Sequence, residues 1–153
     1  MIGWAEFRAA EPQLASFVED RLNRPPAYLA TVRADGSPRV HPVTPIVADV
    51  GLFVFMEPTS PKGIDLSHRG FYAMHNGVPD SAGTGGEVLV SGVGRPVTDS
   101  GVRQMAVDAA SYAPADRYVL FELMVDEVRA LSYGDVPLPQ PSRWRIESPS
   151  GPA

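Results

Sequence analysis

A chain of 153 residues, 44% hydrophobic and 20% charged, suits an ordinary globular fold that can bury its own core. No stretch approaches the roughly 18 consecutive apolar residues of a membrane span, and the opening MIGWAEFRAAEPQ lacks the basic-then-apolar order of a signal peptide, so a cytoplasmic protein is expected. A formal net charge of −5 argues against binding nucleic acid through its phosphates, and the absence of cysteine removes thiol nucleophiles, disulfide exchange and cysteine-ligated metal.

Along the chain, a short helical segment carrying Trp4 and Phe7 comes first. Pro12 then suits a first helical position, and Leu14, Phe17, Val18 and Leu22 follow on one stripe until Pro25 and Pro26 stop the helix. Tyr28–Ala34 is rich in strand formers and runs into Asp35–Gly36, a hairpin turn signal. The chain returns from Pro38 to about Val47, and Pro42 and Pro45 require a bend, bulge or edge there. Gly51–Met56 is a further strand. Ser60–Pro61 opens a helix that Gly70 ends, and His68 and Arg69 suit its negative pole. Phe71–His75 and Glu87–Val97 are strands joined by the Gly/Pro/Ser-rich loop 76–86, and Gly92 and Gly94 mark a kink. Thr98 or Asp99 caps a helix striped by Val102, Met105, Ala106, Ala109 and Ala110, and a long strand covers Tyr118–Tyr133. The acidic pair Asp126–Glu127 reads as a solvated face or loop. Consecutive hairpins with few crossover helices predict an antiparallel sheet or barrel in one domain over 1–147, and the polar tail 148–153 is expected to be disordered.

The residues that carry chemistry cluster in TSPKGIDLSHRG, 59–70. Lys62, the only lysine beside 12 arginines, falls in the first turn of the helix, where a cation is disfavoured by about 0.3–1 kcal/mol. An anion bound at that turn removes the conflict, so a helix N-terminus, the Ser60 hydroxyl, the small Gly63 and Lys62 together suggest a phosphate site. A solvated lysine in a tolerant turn is the competing reading. On the strand after the first hairpin, alternation puts Arg39, His41 and Val43 on one face and Val40, Thr44 and Ile46 on the other. Val40 and Ile46 are expected in the core, with Arg39 and His41 facing solvent, a partner or a ligand. His41, His68 and His75 form no metal-binding spacing, and no nucleophile elbow or Walker loop is present. Phe53, Phe55 and the Phe71/Ala73/His75 face offer more apolar sheet surface than one barrel and its helices need, which predicts a dimer.

The succession LATVRADGSPRVHPVTPI, LFVF, SPKGIDL, FYAMH and EVLVSGVGRPV, within residues 26–133, resembles the pyridoxamine 5′-phosphate oxidase-like split-barrel superfamily, with its FMN- and F420-dependent members. The resemblance implies a mainly β fold: a six-stranded antiparallel Greek-key split barrel with flanking helices, forming a homodimer with a flavin or deazaflavin in each of two interface grooves. It implies that Arg39 and Lys62 hold the cofactor phosphate, with His41, Val43, Thr59, Ser60 and Gly63 around it. The activity implied is hydride exchange between FMN and a small organic substrate. An F420-dependent reductase, a non-catalytic flavin, F420 or haem binder, and a cofactor-free dimeric module are the alternatives. Two departures stand out. The Arg–x–His segment that grips the vitamin B6 phosphate in authentic oxidases is missing from YGDVPLPQPS, 133–142, and Pro61 stands where FMN-binding relatives often carry a basic residue. A short closing strand is expected at 144–147.

Overall fold

In the computed structural model, residues 1–24, 26–134 and 136–147 are described; the expected tail at 148–153 lies outside them. The elements in chain order are α1 (Trp4–Ala10), α2 (Pro12–Leu22), β1 (Ala27–Val32), β2 (Pro38–Val43), β3 (Ile46–Ala48), β4 (Gly51–Met56), α3 (Pro61–His68), β5 (Phe71–Asn76), β6 (Glu87–Pro96), α4 (Ser100–Ala109), β7 (Val119–Leu131) and β8 (Arg143–Arg145). All strand pairings are antiparallel, in the order β2-β1-β5-β6-β7-β4-β3, with β8 also on β7.

That order fixes the shape. β2 and β3 are the two edges of the sheet, yet only Thr44 and Pro45 separate them in sequence. Seven strands laid flat are about 29 Å across, whereas the three Cα steps from Val43 to Ile46 reach at most about 11 Å. The sheet therefore curls until its edges meet, which is a barrel. Eight strands are present among the described residues rather than the expected six. The difference is β3 and β8, of three residues each: β8 is the expected short closing strand, at Arg143–Arg145 rather than 144–147, and β3 is split off the single strand expected from Pro38 to about Val47; the six longer strands are those read from the sequence.

The main core lies inside the barrel and under α1 and α2, where Trp4, Phe7, Leu14, Val18 and Leu22 meet Leu52, Val54, Val90, Leu123 and Val125. β4 is buried on both faces, consistent with its unbroken run LFVFM. Its other face packs Phe53 with Ile46, Leu120 and Ala106 of α4 in a second cluster. Phe53 is thus fully buried and contributes nothing to an outer sheet surface, contrary to the expectation; a helix distant in sequence covers it.

β7 is the spine. Its first edge runs along β6, and its second edge pairs in turn with β4, with Ile2 and with β8. The predicted kink falls at Gly92 alone: Ser91 pairs with Glu127 and Gly92 with Val125, so Asp126 is an extra residue. Asp126 and Glu127 accordingly belong to this strand, where Asp126 meets the N-terminal ammonium at 3.1 Å and Glu127 binds Arg129 and Arg143. The bulge frees the Met124 carbonyl, which accepts a 3.0 Å hydrogen bond from the buried Tyr72 hydroxyl. A Cβ at Gly92 would run into that carbonyl, whereas at Gly94 it would meet only leucine methyl groups, 3.1 Å or more away. No helix among the described residues is long and apolar enough to cross a membrane.

Gly92→Ala is expected to destabilise the protein by about 2 kcal/mol or more, against roughly 1 kcal/mol for Gly94→Ala, as read by urea unfolding of both variants.

Candidate functional site

The site is built on the start of α3. Pro61 occupies the first helical position, and the Ser60 hydroxyl oxygen accepts a 3.1 Å bond from the Gly63 amide. The hydroxyl itself donates, among the described residues, only to the Met56 sulfur, a weak acceptor at 3.9 Å. Gly63 is buried; a Cβ there would come to 2.9 Å from the Ser60 oxygen, so its smallness lets the helix end sit against β4. No acidic residue stands in the first turn. Lys62 is half-buried in that turn and forms no ion pair among the described residues.

Among the described residues, Lys62 is the only charged one lining a cleft of about 320 Å³. Pro26, Pro42, Val43, Thr44, Val54, Phe55 and Tyr112 form its other walls. Loops 57–60 and 110–118 meet beside it. Arg103 donates to the carbonyls of Tyr118 (2.8 Å) and Asp116 (3.1 Å) while its guanidinium lies 5.0 Å over the Phe55 ring, and Arg117 pairs with Glu57. Burial raises the pKa of the Tyr112 hydroxyl, with Tyr118 adding to the shift, so it stays a neutral donor at physiological pH.

β2 corrects the sequence reading. Arg39, His41 and Val43 are the half-buried face, and Val40 is 60% exposed rather than in the core. Ile46 is buried as expected. The alternation does not continue through Thr44–Pro45, because that link carries the chain across to the opposite edge and resets the phase. Arg39 is half-buried and held by a partner. Its Nε donates to Asp65 Oδ2 at 2.9 Å, and the Thr31 hydroxyl donates to the same oxygen at 2.8 Å. Burial disfavours the Asp65 charge, but the bonds from Thr31 and Arg39 and the positive charges of Arg39 and Arg33 outweigh it, so its pKa falls below the usual value.

Val43 and Lys62 therefore meet in the cleft, and Ser60 and Gly63 form the helix cap beside Lys62. Arg39 joins the same helix one turn on, through Asp65. Thr59 is exposed in the preceding turn, and His41 sits opposite Leu29 without lining the cleft. Asp65, Thr44, Phe55 and Tyr112 were not foreseen as site residues. An aspartate one turn after Lys62 was the one available signal, since a carboxylate on the buried side of a helix demands a cation. No cluster suited to a metal ion occurs among the described residues.

The family model for pyridoxamine 5′-phosphate oxidase matches residues 10–132. No curated protein matches the chain. Among solved structures, a haem-binding protein of Mycobacterium smegmatis superposes with a TM-score of 0.65 at 19% identity, over 80% of this chain and 55% of that one; the chain thus spans little more than half of that relative. General stress protein 26 of Bacillus anthracis gives 0.62 at 18% identity, over 86% and 97%. The haem storage protein of Vibrio cholerae gives 0.56 at 18% identity, over 76% and 89%. At such identities the likeness shows the fold.

Asp65 has a depressed folded-state pKa, so its contribution to stability is complete above the ordinary carboxylate value and is lost as pH falls through the folded value. Asp65→Asn is expected to cost about 1–3 kcal/mol at pH 7, with the gap to wild type closing below about pH 4, as followed by denaturant unfolding across pH.

Proposed function

The chain belongs to the pyridoxamine 5′-phosphate oxidase family, and from that premise we propose that it binds FMN, with the phosphate at the start of α3, and exchanges hydride with a small organic substrate. The observation that carries this reading is Lys62. It is a half-buried cation with no ion-pair partner among the described residues, placed in a capped first turn that has no acidic residue. An anion there gains from the lysine, the Ser60 hydroxyl and the exposed amides of the turn together. The walls made by Pro26, Pro42, Val43 and Phe55 suit an apolar ring system. FMN, when bound, supplies the hydride chemistry; the side chains hold it, orient it and keep water from one face. The missing Arg–x–His segment separates the substrate from the vitamin B6 phosphates.

Haem is the second reading, supported by the haem-binding protein of Mycobacterium smegmatis and the haem storage protein of Vibrio cholerae among the structural neighbours. It needs an axial ligand, and of the cleft-lining residues only Tyr112 is of a suitable type. His41, His68 and His75 do not line the cleft. F420 satisfies the same phosphate logic as FMN.

A second copy of the chain completes the cleft in this proposal. Val40 and Phe71, both about 60% exposed, and Tyr28 lie on the outer face of β2, β5 and β1, and Ala30 pairs with both Val40 and Ala73. Pro42 belongs to that face and also lines the cleft, so a protomer covering the face also walls the site.

FMN, F420 and haem are titrated against the protein with spectral detection. FMN is expected to bind saturably, and Lys62→Ala to weaken it by about ten- to a hundredfold, the worth of one charge-assisted bond of about 1.5–3 kcal/mol. Haem binding alone, unaffected by Lys62→Ala, would displace the flavin reading. Phe71→Glu is expected to turn a dimer into a monomer by light scattering and to weaken FMN binding at the same time; a wild-type monomer at micromolar concentration that still binds FMN tightly would refute the shared cleft.

A further inference from the structure

Asp65 is hard to account for as a surface charge. It is 6% exposed, sits on a helix three residues after Lys62, and spends one oxygen on both Thr31 and Arg39. Residues three apart share a helix face, so a negative charge stands one turn along the helix from the very cation proposed to attract phosphate. A site selected only for attraction would have a neutral residue there. What the carboxylate does instead is geometric. It holds Arg39 by Nε, at 2.9 Å, and leaves both terminal guanidinium nitrogens without a partner among the described residues. Those two nitrogens carry four of the five N–H donors of the planar guanidinium, which match an oxyanion. Thr31 in turn holds Asp65 from β1, and Arg39 pairs with Thr31 across the strands, so the clamp ties α3 to both strands of the first hairpin.

We infer that Asp65 is a positioning residue: it fixes Arg39 by its Nε so that the free end of the guanidinium is presented to an oxyanion, at the cost of some attraction. This rests on the proposal that FMN phosphate binds at the start of α3. The two explanations predict opposite signs. If charge alone governs binding, Asp65→Asn removes a nearby negative charge and tightens FMN. If Asp65 positions Arg39, the same change weakens FMN although the site becomes more positive.

The experiment titrates wild type, Asp65→Asn and Arg39→Lys with FMN and with riboflavin, which lacks the phosphate, at pH 7. Flavin fluorescence is the readout, and circular dichroism verifies folding. Positioning predicts that both variants lose about tenfold or more in FMN affinity, while riboflavin binding stays at the wild-type level. Arg39→Lys is informative even where Asp65→Asn fails to fold, because it keeps the charge and removes the fork. FMN affinity equal to or above wild type in either variant overturns the inference. So does an equal loss for FMN and riboflavin, which would mark a purely structural role. A wild-type protein that binds no FMN overturns the functional reading first, and the positioning role with it.

Discussion

Two residues, Thr44 and Pro45, set the architecture. They join opposite edges of one sheet, and no flat arrangement of the intervening strands permits so short a link. The curl brings the two edge strands together at one corner, although no ladder joins β2 to β3 among the described residues. It also brings the end of β2 against β4 and the start of α3, so Val43, Thr44, Val54, Phe55 and Lys62 share one cleft although they span twenty positions of sequence. The site follows from the closure rather than being added to it. Pro45 suits its place because it donates no backbone hydrogen bond and sits where the chain leaves one edge for the other.

The second support is β7, which gathers three unrelated segments along one edge: β4, the extreme N-terminus and β8. Its bulge at Asp126 is tolerated because Gly92 gives the opposing strand room and Tyr72 satisfies the exposed carbonyl. The buried Tyr72 hydroxyl stays protonated, since desolvation opposes its charge and Asp126 adds to that effect.

Much of this was legible from residue types. Asp35–Gly36 turns as expected, with Gly36 at positive φ and Asp35 accepting from the Ser37 amide at 2.9 Å. Ser60 and Pro61 start α3, Gly70 ends it, and Asp99 caps α4 through the Val102 amide. These are local signals, each decided within four residues. What escaped was decided at a distance. Val40 was misplaced because alternation holds only within an uninterrupted strand. Phe53 was read as surface because its cover, Ala106, comes from α4 some fifty residues later. Asp65 lies one helical turn after Lys62, but no spacing ties it to Arg39, and none ties Tyr112 to either; only the fold brings them together. The family resemblance, by contrast, rested on the order of whole segments, and such order survives errors of phase.

The composition has a practical corollary at Lys62. With every other basic side chain except histidine an arginine, it is the chain's sole ε-amine. Acylating or reductively methylating reagents therefore have one side-chain amine target in this sequence, Lys62. The cleft thus carries a built-in chemical tag whose reactivity reports directly on whether something occupies it.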